Sequence, residues 1–268
     1  MGVKTMLRET YNHWRVADDT IFITMLGGSH YLYLLEGRER ALLIDTGYGC
    51  GDLRKYVERL MAKPIVVVNT HGHPDHTGGN GWWQEVHMHS DAAADIANMP
   101  PLPGRRQLLW PDYTKVFVEE GFLFDLGGRV VEVIEIPAHA SGSIALLDRG
   151  TCMLFSGDEI EAGQVLLFDY HANDRAAFMV KVENHLHNML KLKSRETEFS
   201  FICPSHNGAP IALSHIDDFI ELDRALLEGR QEVAPRLCHR YLSRLPFAKE
   251  LRRATYGKVS IIYRASDE

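Results

Sequence analysis

The sequence has few cysteines and no paired ones. Cys50, Cys152, Cys203 and Cys238 are the only four in 268 residues, and no C-x-x-C spacing occurs. That excludes a zinc ribbon or a disulfide scaffold and suits a reducing compartment. The plain reading is four buried thiols, since free cysteine packs as a small hydrophobe. Long apolar runs are also missing: none approaches the ~20 residues of a membrane-spanning helix. Residues 1–16 are polar, with Lys4, Arg8, Glu9 and Arg15, and lack the apolar core of a secretory signal, so the expected compartment is the cytoplasm. Basic charge is not in excess either. With 29 Lys and Arg against 36 Asp and Glu, the net charge is −7, and no overall attraction to nucleic acid or anionic membrane is expected. There is no repeat, low-complexity tract or Gly/Ser linker. The remainder is ordinary for a globular chain, 45% hydrophobic and 24% charged, and long enough to bury a full core as one domain over residues 1–268.

Local patterns alternate between strand and helix. Residues 20–25 and 31–35 flank Gly27-Gly28-Ser29 and predict a hairpin. Ala41–Ile44 is a short apolar run ending in Asp45-Thr46-Gly47. Leu53, Val57, Leu60 and Met61 have helical spacing, and residues 64–68 form an apolar strand that runs into Asn69-Thr70-His71. Ser90 caps a short helix over 91–97. Residues 99–111 hold four prolines and read as a loop, a candidate lid. Residues 115–136 alternate like antiparallel strands, and strands follow at 143–147, 152–155, 199–203 and 259–263. Between them, 174–193 reads as a helix with the stripe Phe178, Val182, Leu186, Met189 and Leu190. A second helix opens on Ser214-x-x-Asp217, which resembles a capping box, and stops at Gly229. Strands with interspersed helices in each half predict two sheets with helices outside.

What the chain does have is 14 histidines, and their placement carries the chemistry. Thr70-His71-Gly72-His73-Pro74-Asp75-His76-Thr77-Gly78-Gly79 sets four metal-binding side chains within six residues, just past a strand. From the chain's own His and Asp frequencies this pattern is expected roughly 0.002 times by chance. Imidazole and carboxylate together suit zinc, iron or manganese. Three more polar residues follow strands beside small neighbours: His139 in Pro137-Ala138-His139-Ala140-Ser141-Gly142, Asp158 in Phe155-Ser156-Gly157-Asp158, and His206 in Cys203-Pro204-Ser205-His206-Asn207-Gly208. Each alone would be an ordinary loop residue; a polar group presented by a rigid strand end suits a preorganised site.

Taken in order, these segments resemble the metallo-β-lactamase superfamily of hydrolases over His71 to His206. The likeness reaches back to Leu43-Ile44-Asp45-Thr46-Gly47. The resemblance implies a four-layer αβ/βα sandwich of the α/β class, mixed sheets with helices outside, and metals at one sheet edge. It implies one metal position at His71, His73 and His139 and a second at Asp75, His76 and His206, with Asp158 bridging and Asp45 orienting the ligand loops. Two divalent ions, zinc first with iron or manganese as alternatives, two carboxylates and a bridging hydroxide leave a net charge of +1. Such a centre attracts a carbonyl and stabilises an oxyanion. The implied activity is hydrolysis of a small-molecule carboxylic ester, lactone or thioester, with the metal-bridging hydroxide attacking the carbonyl and Asp75 essential. An Asp at position 158 points to the glyoxalase-II-like, lactonase and phosphodiesterase branches.

Rival expectations are a mononuclear iron sulfur dioxygenase of the same fold, a phosphodiesterase, and a binding protein that kept the fold. Tyr170 stands where lactonases of the family donate to the substrate carbonyl; the plain alternative is an aromatic loop cap, with His171 beside it. His30 stands where family members often carry Asn. His185 and His187 lie off the apolar stripe and read as solvated or rim residues, His87 and His89 as structural, and Trp82 or Trp83 as core. Residues 236–268 carry eight Lys or Arg against three Asp or Glu, a solvated face or a binder of a substrate anion. A homodimer is the base-rate expectation.

Overall fold

Period-two apolar alternation builds the strands, and the two faces of each strand enter two different cores. The computed structural model describes residues 11–25, 30–98, 113–170, 173–230 and 242–265. The predicted 99–111 loop, the 27–29 turn, His171 and Cys238 lie outside the described residues.

The first sheet runs in chain order: β1 (Tyr11–Ala17), β2 (Thr20–Met25), β3 (Tyr31–Glu36), β4 (Ala41–Ile44), β5 (Ile65–Val68), β6 (Glu85–Met88) and β7 (Thr114–Phe117). Its first four strands are antiparallel, and β4 to β7 are parallel. All four residues of β4 are buried, as expected of a strand covered on both faces. Helices α1 (Leu53–Leu60), α2 (Pro74–Thr77) and α3 (Ser90–Asn98) form the crossovers. The second sheet has β8 (Leu123–Asp125), β9 (Val130–Glu135), β10 (Ile144–Asp148), β11 (Met153–Gly157) and, after β12 (Val165–Leu166), β13 (Phe201–Pro204), in the order β13-β11-β10-β9-β8. Helices α4 (Arg175–Ser194) and α5 (Ser214–Leu227) lie against it. A third small sheet pairs β12 with β15 (Val259–Arg264) and β15 with β14 (Leu251–Tyr256).

The alternation sorts the layers. Phe22, Tyr33, Leu35, Leu42, Ile44 and Val68 of the first sheet meet Val131, Val133, Ile144, Leu146 and Phe155 of the second in one inner core. The intervening residues Ile23, Leu32, Leu34, Leu43 and Val67 face outward onto Leu53 and Val57 of α1 and Ala92 of α3. On the far side, Ile134, Leu147, Leu154 and Ile202 pack on Val182, Met189, Ile216 and Phe219 of α4 and α5. The order of layers is helix, sheet, sheet, helix, the αβ/βα sandwich that the motifs implied.

Several local expectations change. The 115–136 stretch divides between sheets: β7 pairs parallel with β6, and only β8 and β9 are antiparallel neighbours. The direction in which β7 pairs with β6 is something alternation alone cannot reveal. The Ser214 capping box does not form; Leu213 occupies the cap position without a side-chain bond, and Asp217 pairs with Lys193 at 2.8 Å. Gly229, at φ +68°, does stop α5: its N–H donates to the Leu226 carbonyl and that of Arg230 to the Ala225 carbonyl. Leu190 is exposed, and His185 and Leu192 take their places in the buried stripe of α4. Cys203 is buried, but Cys50 is only half-buried and Cys152 is exposed at a left-handed turn.

Candidate metal centre

All seven predicted ligand residues meet at one edge of the sandwich. The ends of β4, β5, β9, β11 and β13 carry Asp45, the His71–His76 segment, His139, Asp158 and His206 respectively. Two cross-sheet bonds lock the edge, Ile144 N–H to the Thr70 carbonyl at 2.8 Å and Tyr31 N–H to the Ser205 carbonyl at 2.9 Å, and within the second sheet Ser205 N–H donates to the Gly157 carbonyl at 3.0 Å. Gly157 has φ +55°, and a Cβ there would stand 2.9 Å from Thr70 Cβ, so the close approach of the two strand ends requires glycine.

The donors form linked groups. His71, His73 and His139 offer nitrogens within 4.8 Å of one another; His30, Asp75, His76 and His206 form a second such group, and His71, His76 and Asp158 a third that joins them. His73 Nδ1 lies 2.9 Å from His139 Nε2. Asp158 Oδ1 is 3.3 Å from His76 Nε2, and Oδ2 is 3.4 Å from His206, 3.7 Å from His139 and 4.0 Å from His71. Asp75 Oδ2 is 3.3 Å from His206 Nε2.

Ring tautomers are set from behind. His76 Nδ1–H donates to Asp45 at 2.7 Å, and His139 Nδ1–H donates to the Leu166 carbonyl at 2.9 Å, which leaves both Nε2 lone pairs aimed inward. Asp45 is fully buried at φ 63° and also accepts from Thr70 N–H and Thr70 Oγ1, each at 2.8 Å.

Electrostatics divide the cluster. Burial and mutual repulsion depress the first set: His73 is pushed down to about 3, His139 to about 4, and His71 well below the usual imidazole range. In the second set burial also opposes charge, but the carboxylates win. Asp158, Asp45 and Asp75 raise His76 well above its ordinary value, and Asp158 and Asp75 raise His206 to about 10. Despite burial, the histidines hold Asp75 and Asp158 well below the usual carboxylate range. The pocket therefore demands positive charge. Nε2 of His71 and His76 and Oδ1 of Asp158 are buried with no hydrogen-bond partner among the described residues. Orphaned buried donors and acceptors of this kind are costly, and divalent ions would satisfy all three. The residues fit a metal site.

Supporting residues come from outside the motifs. Glu159 Oε2 accepts from His139 N–H at 2.9 Å and Oε1 from Asn188 at 2.7 Å. His185, predicted to be solvated, is fully buried: Nδ1 donates to Asp223 at 2.7 Å and Nε2 to the Glu159 carbonyl at 3.0 Å. Glu161 is also buried and accepts from Asn207; burial and Asp158 push its carboxyl up. Three carboxylates within the four residues 158–161, at the end of a fully buried strand, were the sequence signal for this support.

The remaining residues lie at or beyond the rim. His87 Nδ1–H donates to the Val67 carbonyl at 3.1 Å, and His89 lies 3.4 Å from Glu135, both away from the cluster; His187 is exposed. Trp83 is buried in the outer core, with Trp82 partly packed against it. Tyr170 stands beside the first set, its ring 6.2 Å from that of His73 and packed on Phe168 and Phe247. In the basic C-terminal stretch, Arg264 lies over the Phe247 ring at 4.1 Å and pairs with Glu250 at 2.8 Å. No described helix is long and apolar enough to cross a membrane.

Two facing sheets with helices outside, and a His/Asp cluster on loops at one shared edge, define an αβ/βα protein with a candidate metal centre. Residues 25–225 match the profile of the Metallo-beta-lactamase superfamily, and the chain belongs to that superfamily. Acyl-coenzyme A thioesterase MBLAC2 of Gallus gallus is 32% identical over 168 residues, 52% of this chain and 61% of that protein. A hydroxyacylglutathione hydrolase of Synechococcus sp. (strain JA-2-3B'a(2-13)) is 29% identical over 136 residues, 50% of each chain. The matches thus span about half to three fifths of these relatives' lengths. Among solved structures, a metallo-beta-lactamase from Pontibacter korlensis superposes with a TM-score of 0.62 at 19% identity, over 80% of this chain and 99% of that one, a likeness of fold.

Proposed function

We propose that the protein is a dinuclear metal-dependent hydrolase of an acyl thioester. The observation that carries this reading is the position of Asp158, whose two oxygens face imidazoles of both donor sets. The names of the relatives, acyl-coenzyme A thioesterase and hydroxyacylglutathione hydrolase, support the thioester over the lactone and simple ester. His71, His73 and His139 would hold one ion, Asp75, His76 and His206 the other, and Asp158 both. Zinc is the first choice and iron or manganese the alternatives. Bound ions would supply a water whose pKa is lowered to about 7 and a Lewis acid for the carbonyl.

The chain's own residues do the rest. Asp75 is kept ionised by its histidines and is partly exposed, with 21% of its side chain accessible, so it would present a negative oxygen to a bound ion and accept a hydrogen bond from the attacking water. A thiol has a pKa of about 8.5, so the leaving thiolate departs with little need of an acid. Tyr170, whose ring stands 6.2 Å from that of His73 and rests on the buried Phe168 and Phe247, would donate its O–H to the substrate carbonyl.

The test is protein purified without chelator, analysed for metal and assayed on a panel of acyl thioesters, a lactone and a chromogenic phosphodiester. About two ions per chain and thioester cleavage are expected, and Asp75→Ala should lower kcat/KM by about 10³-fold or more. Phosphodiester cleavage without thioester cleavage, or one iron per chain with oxygen uptake on a persulfide, would overturn the reading.

A further inference from the structure

We propose that His30 is an additional ligand of the second metal position, joining Asp75, His76, His206 and the shared Asp158. The inference rests on the metal-centre reading above and extends it to a residue outside the loops that follow the sheet strands.

His30 immediately precedes β3, which is antiparallel to β4, so the start of β3 lies at the same edge as the end of β4. The neighbouring backbone is pinned to the His206 segment: Tyr31 N–H donates to the Ser205 carbonyl at 2.9 Å and Tyr33 Oη–H to the Pro204 carbonyl at 2.5 Å. On the other side Thr24 Oγ1–H donates to the His30 carbonyl at 3.3 Å. The ring therefore has a fixed station, 1% exposed, between those of His76 and His206, with centroids 4.5 and 4.8 Å away.

A buried imidazole held for structural reasons finds a carboxylate or carbonyl, as His185 does on both nitrogens. His30 finds neither among the described residues. Its Nε2 is buried without a partner, and its Nδ1 faces only His206 Nε2, at 3.3 Å. That separation is informative. Donors about 2.0–2.1 Å from one tetrahedral ion stand about 3.4 Å from each other. His206 Nε2 keeps this spacing to three atoms at once: His30 Nδ1 at 3.3 Å, Asp75 Oδ2 at 3.3 Å and Asp158 Oδ2 at 3.4 Å. The first position repeats the motif, with His73 Nδ1 2.9 Å from His139 Nε2.

An asymmetry follows. With Asp158 shared, His30 brings the second position to five protein donors against four at the first, and the position with fewer protein donors keeps more room for substrate. The reacting carbonyl is thereby assigned to the His71, His73 and His139 position, beside Tyr170.

The direct test is nitrogen NMR of the full chain loaded with cadmium-113, counting histidine ring nitrogens coupled to the metal. Six are expected, from His30, His71, His73, His76, His139 and His206. Five, with His30 uncoupled, overturn the role of His30 alone; none at all overturns the metal-centre reading and this inference with it. Zinc titration gives the second measurement. His30→Asn and His30→Gln should take the first equivalent as the parent does and bind the second at least tenfold more weakly. Two equivalents with unchanged affinities in both variants overturn the proposal.

Discussion

Asp45 fixes the ring of His76 in the second donor set from behind. One buried carboxylate accepts from Thr70 N–H, Thr70 Oγ1 and His76 Nδ1, and so ties the strand end, the loop and the ligand ring together. Hydrogen bonds to a charged group contribute about 1.5–3 kcal/mol each, and an amide of the same size cannot accept all three. Asp45→Asn should weaken binding of the second metal equivalent by about 10–100-fold, read by competition with a chromophoric chelator. Unfolding stability should fall by about 1–3 kcal/mol in urea. Unchanged metal affinity would remove Asp45 from the positioning role. This residue was legible in the sequence because it ends a strand in the Asp45-Thr46-Gly47 pattern. Asp223 was not, because its partner lies on another element, and Glu159 was signalled only by the run of carboxylates over 158–161.

Helix α4 is the element that braces the loops. Positions 178, 182, 185, 189 and 192 recur at helical spacing, and all five are buried. His185 thus occupies the middle of the stripe, where hydropathy had favoured Leu186 and Leu190. On the flanks, Lys181 donates to the Ala138 carbonyl at 2.9 Å and Asn188 to Glu159 at 2.7 Å, so the helix grips the loops of both His139 and Asp158. Burial opposes the charge on His185, but Asp223 and Glu159 outweigh it and raise the imidazole to about 9. The folded protein therefore keeps a proton that the unfolded chain releases near pH 6.5. This contribution is fully present below about pH 6.5 and is lost as pH rises through about 9. It is on the order of 3 kcal/mol over that span. Asp223→Asn should flatten the fall in unfolding free energy between pH 6.5 and 9, measured by urea titration at several pH values; an unchanged slope would mean that the pair does not carry the proton.

At the scale of the whole molecule, the candidate metal centre fastens two sheets. His71, His73, Asp75 and His76 come from the first sheet, and His139, Asp158 and His206 from the second, so bound ions cross-link elements up to 135 positions apart in sequence. A ligand held only by the folded state adds about 4 kcal/mol when present at a thousand times its dissociation constant. Removing metal with a chelator should therefore lower Tm by roughly 10 °C, and returning zinc should restore it, as calorimetry would record. A Tm indifferent to chelator would mean that the sheets hold together without the ions.

The sequence by itself determined what depends on local spacing. The H-x-H-x-D-H run and its three companion residues are polar side chains just past strands, and short apolar runs marked most of the strands that present them. Strands β1 and β14 escaped because their burial pattern is irregular and decided by neighbours. Tertiary structure alone decided pairing. It set β7 parallel to β6, added the third sheet, left Cys152 in solvent, drew His185 into the core and placed His30 against His206. The physical reason is common to all five. Each outcome depends on groups distant in sequence that meet when the strands pack, and a buried imidazole is defined by the partner that it finds.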